Sequence, residues 1–132
     1  MKVFLASILE PDNFGPGRVI GVYYGDKPKN LNIDYLFEPF TPSCDLLDSY
    51  YEMVNKDPEQ AGSYFVSKYQ EQLDLCYSDL VSLSKSSNDN IVDLLPFNDG
   101  DTLVSWERSY NTHYRGQLAE FMVKLGFEVV SK

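Results

Sequence analysis

The sequence predicts a single α/β domain spanning residues 1–132, in which a mainly parallel sheet is flanked by helices. Short apolar runs rich in β-branched and aromatic residues alternate with longer segments in which apolar residues recur every three or four positions. The C-terminal part of the chain reads as strand, helix and strand, which predicts a βαβ unit with parallel pairing and a right-handed crossover. A length of 132 residues with 43% hydrophobic residues is enough for one buried core.

Two strands are predicted before the first helix. Residues 2–8 and 18–24 are compact apolar runs with β-branched and aromatic side chains, the pattern typical of buried strands. Proline and glycine residues between positions 11 and 17 predict a loop that separates the two strands. A short extended piece is expected within residues 30–37.

Two helices are predicted in the middle of the chain. The first is expected over residues 41–55, where threonine and proline supply an N-cap and a first turn. Asp57 is expected to cap the second helix, because Gln60 lies at the capping-box spacing from it. The apolar stripe of this helix continues over residues 61–83, which is long for a small domain, so we expect a break near residues 74–78.

The last third of the chain carries the predicted βαβ unit. Residues 102–106 form an apolar run that predicts a central strand. Residues 115–125 are amphipathic and predict a helix, and Gly126 is the glycine expected just after a helix end. Residues 127–130 predict the final strand.

Composition excludes several classes of protein. Eleven basic residues face 20 acidic ones, so the net charge of −9 argues against a duplex DNA-binding protein. No apolar run is long enough to cross a membrane, and no cleavage site follows the N-terminal apolar stretch, so we expect a cytoplasmic protein. Four acidic and four basic residues balance within residues 101–132, where an anionic ligand would be least repelled.

Neither cysteine predicts chemistry. Cys44 and Cys76 are 32 positions apart, and neither belongs to a CxxC motif or neighbours a histidine. We interpret both as buried thiols of a reducing compartment, and we expect no metal and no cofactor. The chain also lacks the glycine-rich phosphate-binding motifs and the HExxH zinc motif.

The densest group of polar, aromatic and titratable residues follows the predicted central strand. Ligands of open α/β sheets bind at the carboxyl ends of the strands, against helix N-termini. The candidate ligand-binding residues here are Glu107, Arg108, Tyr110, Asn111, Thr112, His113, Tyr114 and Arg115. The two arginines would hold a phosphate, and Tyr110 or Tyr114 would stack on a base. Tyr23 and Lys27, after the second strand, are expected to face the same rim.

Simpler interpretations of the same residues remain open. Glu107 and Arg115 would form a structural ion pair, and His113 would be an exposed residue at the start of the helix. An enzymatic alternative assigns His113 as general acid or base and Glu107 as its partner, in a hydrolase or transferase acting on a nucleotide-like substrate. A protein–protein interaction module is a further alternative, and the ten tyrosines would suit an interface. A homodimer is the default expectation.

Four segments together resemble the bacterial and viral family described as domain of unknown function 488. They are MKVFLASI with the later turn Gly25-Asp26-Lys27-Pro28, YLFEPFTPSCDLL at residues 35–47, YFVSKYQEQL at residues 64–73, and LVSWERSYNTHYRGQLAEFMVKLGFEVV at residues 103–130. The resemblance covers nearly the whole chain.

The resemblance implies a lost reaction. The family's typical Cys-His-Arg at the helix start corresponds here to His113, Tyr114 and Arg115, or begins at Thr112 in a shifted register, so the thiol is absent either way. A thiol at that position would be a plausible nucleophile, and this member lacks it. The family's proposed link to nucleic-acid or nucleotide metabolism is compatible with non-catalytic binding or sequestration of a small anionic, nucleotide-like ligand. A viral (phage) protein that counters a host nucleotide signal is the corresponding hypothesis.

Overall fold

The fold is an α/β domain built on one parallel sheet, as the sequence predicts. A computed structural model of the protein describes residues 1–25, 27–106 and 114–131. Its strands are β1 (Lys2–Ser7), β2 (Val19–Gly21), β3 (Tyr35–Leu36), β4 (Thr102–Ser105) and β5 (Glu128–Ser131). Their order across the sheet is β3-β2-β4-β1-β5, and every neighbouring pair is parallel. The three most buried strands, β2, β4 and β1, lie in the middle of the sheet, where both faces are covered.

Four α-helices lie in the described residues, and side chains cap the first two. They are α1 (Cys44–Val54), α2 (Pro58–Ser87), α3 (Ile91–Leu94) and α4 (Tyr114–Leu125). Asp57 caps α2 as predicted, and its carboxylate accepts the Gln60 N–H at 3.1 Å. The predicted N-cap of α1 is wrong, because Ser43 accepts the Leu46 N–H at 3.2 Å while the Thr41 hydroxyl donates to a preceding carbonyl.

α2 is one unbroken helix of 30 residues, so the break predicted near residues 74–78 is wrong. Its buried side chains Phe65, Tyr69, Leu73 and Leu80 stay in helical phase and all reach the same core. Burial along this stripe stabilises the helix throughout its length, and no local residue has to end it. The helix finally ends at Asn88, which adopts a left-handed φ of 63°.

The two faces of the sheet are covered differently. Val3, Leu5 and Leu103 point to the helix face, where they join the main core formed with all four helices. The opposite face, here called the loop face, carries a smaller cluster centred on Ile8, Tyr23 and Val104. The segments after β1 and β2, which include a short 3-10 helix at Pro11–Asn13, cover this face in place of α-helices.

The connections account for this division. The chain steps in one direction from β1 to β2 and from β2 to β3, with connecting residues in the loop-face cluster. It steps back in the other direction from β3 to β4 and from β4 to β5, with helices on the helix face. Reversing both direction and face preserves handedness, as the rule for parallel crossovers requires. In the C-terminal βαβ unit, β4 and β5 are parallel but β1 lies between them.

A buried carboxylate fixes the amino end of the sheet. Asp101 is 1% exposed and precedes β4. Its Oδ2 lies 2.7 Å from the Arg18 Nη2, and it also accepts the backbone N–H groups of Arg18 at 2.9 Å and Asn98 at 2.7 Å. These hydrogen bonds join the start of β2 to the turn before β4.

The prediction that both cysteines are buried is wrong. Cys44 is exposed because it lies in the first turn of α1, on the side of the helix facing solvent. Cys76 is half-buried beside the carbonyl oxygen of Pro39 at 3.4 Å, and burial, with Asp79 nearby, raises the pKa of its thiol. In the part of the chain that the structure describes, no helix is long and apolar enough to span a membrane.

Candidate functional site

The carboxyl end of β4 lies at the point where the chain changes faces. β4 is flanked by β1 and β2, and after both of these neighbours the chain continues on the loop face. The described element that follows β4 is α4, which lies on the helix face. Connections that diverge from adjacent parallel strands leave a crevice, and ligands of open α/β sheets bind there.

Two serines meet at this edge of the sheet. Ser7 and Ser105 are the last residues of β1 and β4, and they are paired in register. Their side chains share the helix face with Leu5 and Leu103, which lie two positions earlier in each strand. Both serines are buried, with 5% and 1% exposure, and the Ser7 hydroxyl accepts the Leu9 N–H at 3.2 Å. The core surface is therefore apolar up to this edge and ends in hydroxyl groups.

Tyr114 fixes the start of α4 above this edge. Its hydroxyl donates to the carbonyl oxygen of Val22 at 3.0 Å and accepts the Trp106 N–H at 3.2 Å. Its ring packs against Tyr69 and Phe65, with centroid distances of 5.5 and 6.1 Å. Because the residue is only 3% exposed, the base-stacking role predicted for Tyr114 does not fit this arrangement. Tyr114 is a positioning residue in the core.

Tyr69 extends the same arrangement into the helix layer. It is fully buried, and its hydroxyl donates to the carbonyl oxygen of Phe40 at 2.6 Å. Burial, with Tyr114 nearby, raises the pKa of Tyr69 well above its usual value, so the phenol stays protonated and keeps donating. Two tyrosines in edge-to-face contact therefore link α2 to the start of α4.

Arg115 brings a positive charge to the first turn of α4. The residue is half-buried, and its Nη1 atom is shielded from solvent. The first turn of α4 contains no acidic residue, whereas α1, α2 and α3 carry Asp45, Glu59 and Asp93 there. A cation at a helix N-terminus is placed against the helix dipole, so negative charge nearby is favoured by both groups.

Tyr23, predicted to line the same site as Tyr114, lies on the opposite face of the sheet from it. Tyr23 is 5% exposed on the loop face, where its ring packs against Trp106 at a centroid distance of 6.2 Å. Burial raises the pKa of its phenol. Lys27 is exposed, and its Nζ donates to the carbonyl oxygen of Leu31 at 2.6 Å. Tyr23 and Tyr114 thus approach the end of β4 from opposite faces.

The structure tests only part of the predicted site. Tyr23, Lys27, Tyr114 and Arg115 are placed as given above. The remaining candidates lie outside the described residues: Glu107, Arg108, Tyr110, Asn111, Thr112 and His113. The alternative catalytic pair, His113 and Glu107, lies there as well.

The two serines and the backbone groups that Tyr114 binds are not among the site residues that the sequence predicts. A polar residue at an inward position of an apolar strand is the pattern that would have identified Ser7 and Ser105. No local pattern indicates the Val22 carbonyl, because it meets Tyr114 only after the strands are assembled. Within the described ranges, no group of three or more His, Cys, Asp or Glu side chains is placed to hold a metal ion.

Comparison with known proteins adds no relative. The chain matches no protein-family model, no curated protein and no solved structure. The resemblance to domain of unknown function 488 therefore stays a prediction.

Proposed function

We propose that this protein binds a small anionic, nucleotide-like ligand without turnover at the carboxyl end of β4. The observation that carries the proposal is the position of the first turn of α4, which bears Arg115 and no acid, beside the carboxyl end of β4. A helix N-terminus and a guanidinium both favour an anion there, and the location is the usual ligand site of this sheet type.

The chemistry at the carboxyl end of β4 favours a phosphate over a simple carboxylate. Hydroxyl groups from Ser7 and Ser105 line the sheet edge, and an arginine suits an oxyanion that accepts several hydrogen bonds. The chain as a whole carries a net charge of −9, so an anion is repelled by most of its surface. A local cation at a buried edge is then the feature that gives selective binding.

Binding without turnover is the part of the proposal that comes from the sequence. The resemblance to domain of unknown function 488 places a cysteine where this chain has His113 or Thr112. A protein that binds a nucleotide signal stoichiometrically removes it from solution, which is the sequestering role expected of a viral protein.

Thermal unfolding with a panel of ligands tests the proposal. The panel contains inorganic phosphate, pyrophosphate, nucleosides, and mono-, di- and cyclic nucleotides. A ligand at 100 times its Kd adds about 2.7 kcal/mol of apparent stability, which raises Tm by several degrees. We expect a shift with phosphorylated ligands and none with nucleosides alone.

A matched pair of variants locates the site. Arg115→Ala should raise the apparent Kd at least tenfold and so reduce the Tm shift, because it removes the cation of the α4 first turn. Lys56→Ala removes an exposed cation elsewhere and should leave binding unchanged. Absence of any shift across the panel, or equal binding by Arg115→Ala, would overturn the proposal.

The same incubations distinguish binding from catalysis. Chromatography of each mixture after prolonged incubation should return the ligand unchanged. Product formation that is lost in His113→Ala would instead support the hydrolase or transferase alternative.

A further inference from the structure

The second half of α2 continues beyond the groove that it forms with α1. α1 has 11 residues and α2 has 30, and residues 55–57 join the two helices. The groove between them has a volume of about 380 Å³, and Leu75 is the last residue of α2 that lines it. The remaining residues of α2, 76–87, extend for about 18 Å along the helix axis.

Acidic and leucine side chains alternate along one exposed side of this helix. Glu71, Leu75, Asp79 and Leu83 recur every four positions, so they form one row on the helix surface, here called the acid–leucine row. Leu75 is 69% exposed and Leu83 is 56% exposed, whereas the leucines of the core stripe in the same helix are buried. Glu71 and Asp79 are exposed as well. Two large aliphatic side chains are therefore held in water between carboxylates.

The surroundings of this row are acidic. α1 contributes three acidic residues and residues 69–84 of α2 contribute three, with no lysine or arginine in either range. All of these acids are exposed: Asp45, Asp48, Glu52, Glu71, Asp74 and Asp79. Lys68 and Lys85 stand at the two ends of the α2 stretch, and Lys68 is paired with Glu71 at 3.3 Å. A molecule that binds here meets apolar side chains within a negative electrostatic potential.

We propose that the acid–leucine row binds a basic amphipathic helix of a partner protein. Apolar side chains on one face of that helix would cover Leu75 and Leu83 and remove them from water. Lysine or arginine side chains beside that face would pair with Glu71 and Asp79. The part of α2 beyond the groove has room for about three turns of a partner helix. This surface uses no residue of the proposed anion site.

Charge complementarity favours this occupant over three others. A second copy of the chain, paired through the same row about a two-fold axis, would bring carboxylates against carboxylates. The phosphates of a nucleic acid and the headgroups of an anionic lipid would be repelled for the same reason. A basic polypeptide is attracted by these charges, which also accelerate its encounter with the surface.

Isothermal titration calorimetry of the full chain with two synthetic peptides tests the proposal. Both peptides are amphipathic helices of about four turns with the same leucine face. One carries lysine at its other positions, and the second carries glutamate there. We expect saturable binding of the lysine peptide, with one site per chain, in about 0.15 M salt, and no binding of the glutamate peptide.

Two double variants locate the site. Leu75→Ser/Leu83→Ser removes the apolar part of the row and should weaken binding of the lysine peptide about tenfold or more. Glu71→Lys/Asp79→Lys should weaken it by a similar factor and create binding of the glutamate peptide, because the charges of the row are reversed. All four positions are exposed, so the circular dichroism spectra should stay unchanged.

Matched controls separate this surface from the charge of the whole chain. Glu120→Lys/Glu128→Lys changes the net charge by the same amount at exposed positions of α4 and β5 and should leave binding of the lysine peptide unchanged. Val123→Ser removes an aliphatic side chain that is 59% exposed on α4 and should also have no effect. Equal weakening by the control variants would overturn the proposal, as would no binding at concentrations up to about 100 μM. A dimer of the protein alone that Leu75→Ser/Leu83→Ser dissociates would overturn it in favour of a second copy.

Discussion

The hydroxyl of Tyr114 donates a hydrogen bond to the carbonyl oxygen of Val22 at 3.0 Å, although 92 positions separate the two residues. The same hydroxyl accepts the N–H of Trp106, the residue just after β4. One side chain of α4 therefore holds the carboxyl ends of β2 and β4 together. The geometry of the candidate site depends on this contact, because it sets where the first turn of α4 begins.

Removing that hydroxyl should destabilise the fold around the candidate site without creating a large cavity in the core. Tyr114→Phe keeps the ring that packs on Tyr69 but takes away the hydrogen-bond partner of two buried backbone groups. We expect a loss of about 1–3 kcal/mol in the free energy of unfolding, measured by urea denaturation. Tyr51→Phe, at a side chain 52% exposed, is the control and should be nearly neutral. Equal stability of the two variants would show that the Tyr114 hydroxyl is not structural.

At the opposite end of the sheet, Asp101 is expected to be the most costly acid to neutralise. Asp101→Asn keeps the size of the side chain but removes the charge that accepts hydrogen bonds from Arg18 and Asn98. We expect a loss of about 2 kcal/mol at neutral pH, since hydrogen bonds to a charged group are the stronger ones. Asp99→Asn alters a neighbouring acid of the same turn and should cost less, because Asp99 accepts one exposed hydrogen bond from Lys2 N–H.

The cost of Asp101→Asn should depend on pH in one direction. Burial raises the pKa of Asp101. The hydrogen bonds from Arg18 and from the backbone lower it by more, so the net pKa lies below its ordinary 3.8. A carboxyl with a depressed folded pKa stabilises the fold above its unfolded pKa, and this contribution is lost as pH falls through the folded pKa. The difference in unfolding free energy between the two proteins should therefore be constant near neutrality and shrink below pH 3.8. A difference that grew on acidification would contradict this assignment.

Local sequence patterns were enough to predict the order and type of the main elements. Capping at Asp57 and the glycine after α4 depend on side chains within a few residues, and both were identified correctly. The length of α2 cannot be predicted in this way, because it depends on what the apolar stripe of the helix packs against. Leu73 and Leu80 lie on either side of the expected break, and both are buried in the same core. That burial is a tertiary effect and cannot be recognised from the local sequence of residues 74–78.

A proline in the middle of α2 tests whether the helix is continuous. Ser78 is exposed and lies within the expected break. Ser78→Pro should cost about 3 kcal/mol, because an interior proline removes a helical hydrogen bond and clashes with the preceding turn. Ser78→Ala should be neutral or slightly stabilising. If α2 were two helices with Ser78 as a cap, proline would be tolerated and alanine would be the destabilising change.

The candidate site was only partly predictable, for a physical reason. The position after the central strand follows from general rules of parallel sheets, and residues 114 and 115 lie near it in the structure. The candidate surface there also includes Ser7 and Ser105, which lie 98 positions apart in the chain and meet only through the β1–β4 register. The sequence predicts ligand stacking for Tyr114 because it shows that the residue is aromatic but not which way the ring faces.

Two glycines, one packed against the sheet and one in open space, test whether residues 11–17 cover the loop face. Gly15 lies against the sheet: its N–H donates to the Thr102 hydroxyl at 2.7 Å, and a Cβ there would meet the Phe4 ring and lie 2.6 Å from the Gly100 carbonyl oxygen. Gly15→Ala should therefore cost about 2 kcal/mol, because the loop must move off the sheet. Gly62 lies in α2 with nothing within 4 Å of a Cβ, so Gly62→Ala should stabilise the protein by about 0.5–1 kcal/mol.

Urea denaturation of both alanine variants gives the comparison directly. The same chemical change should have opposite signs at the two positions, since one glycine is needed for close approach and the other only adds freedom to the unfolded chain. Hydrogen exchange of amides in β4 should also accelerate in Gly15→Ala and not in Gly62→Ala, because the loop that shields this face is displaced. Stabilisation by Gly15→Ala would mean that residues 11–17 do not lie against the sheet, and the closed loop face would have to be abandoned.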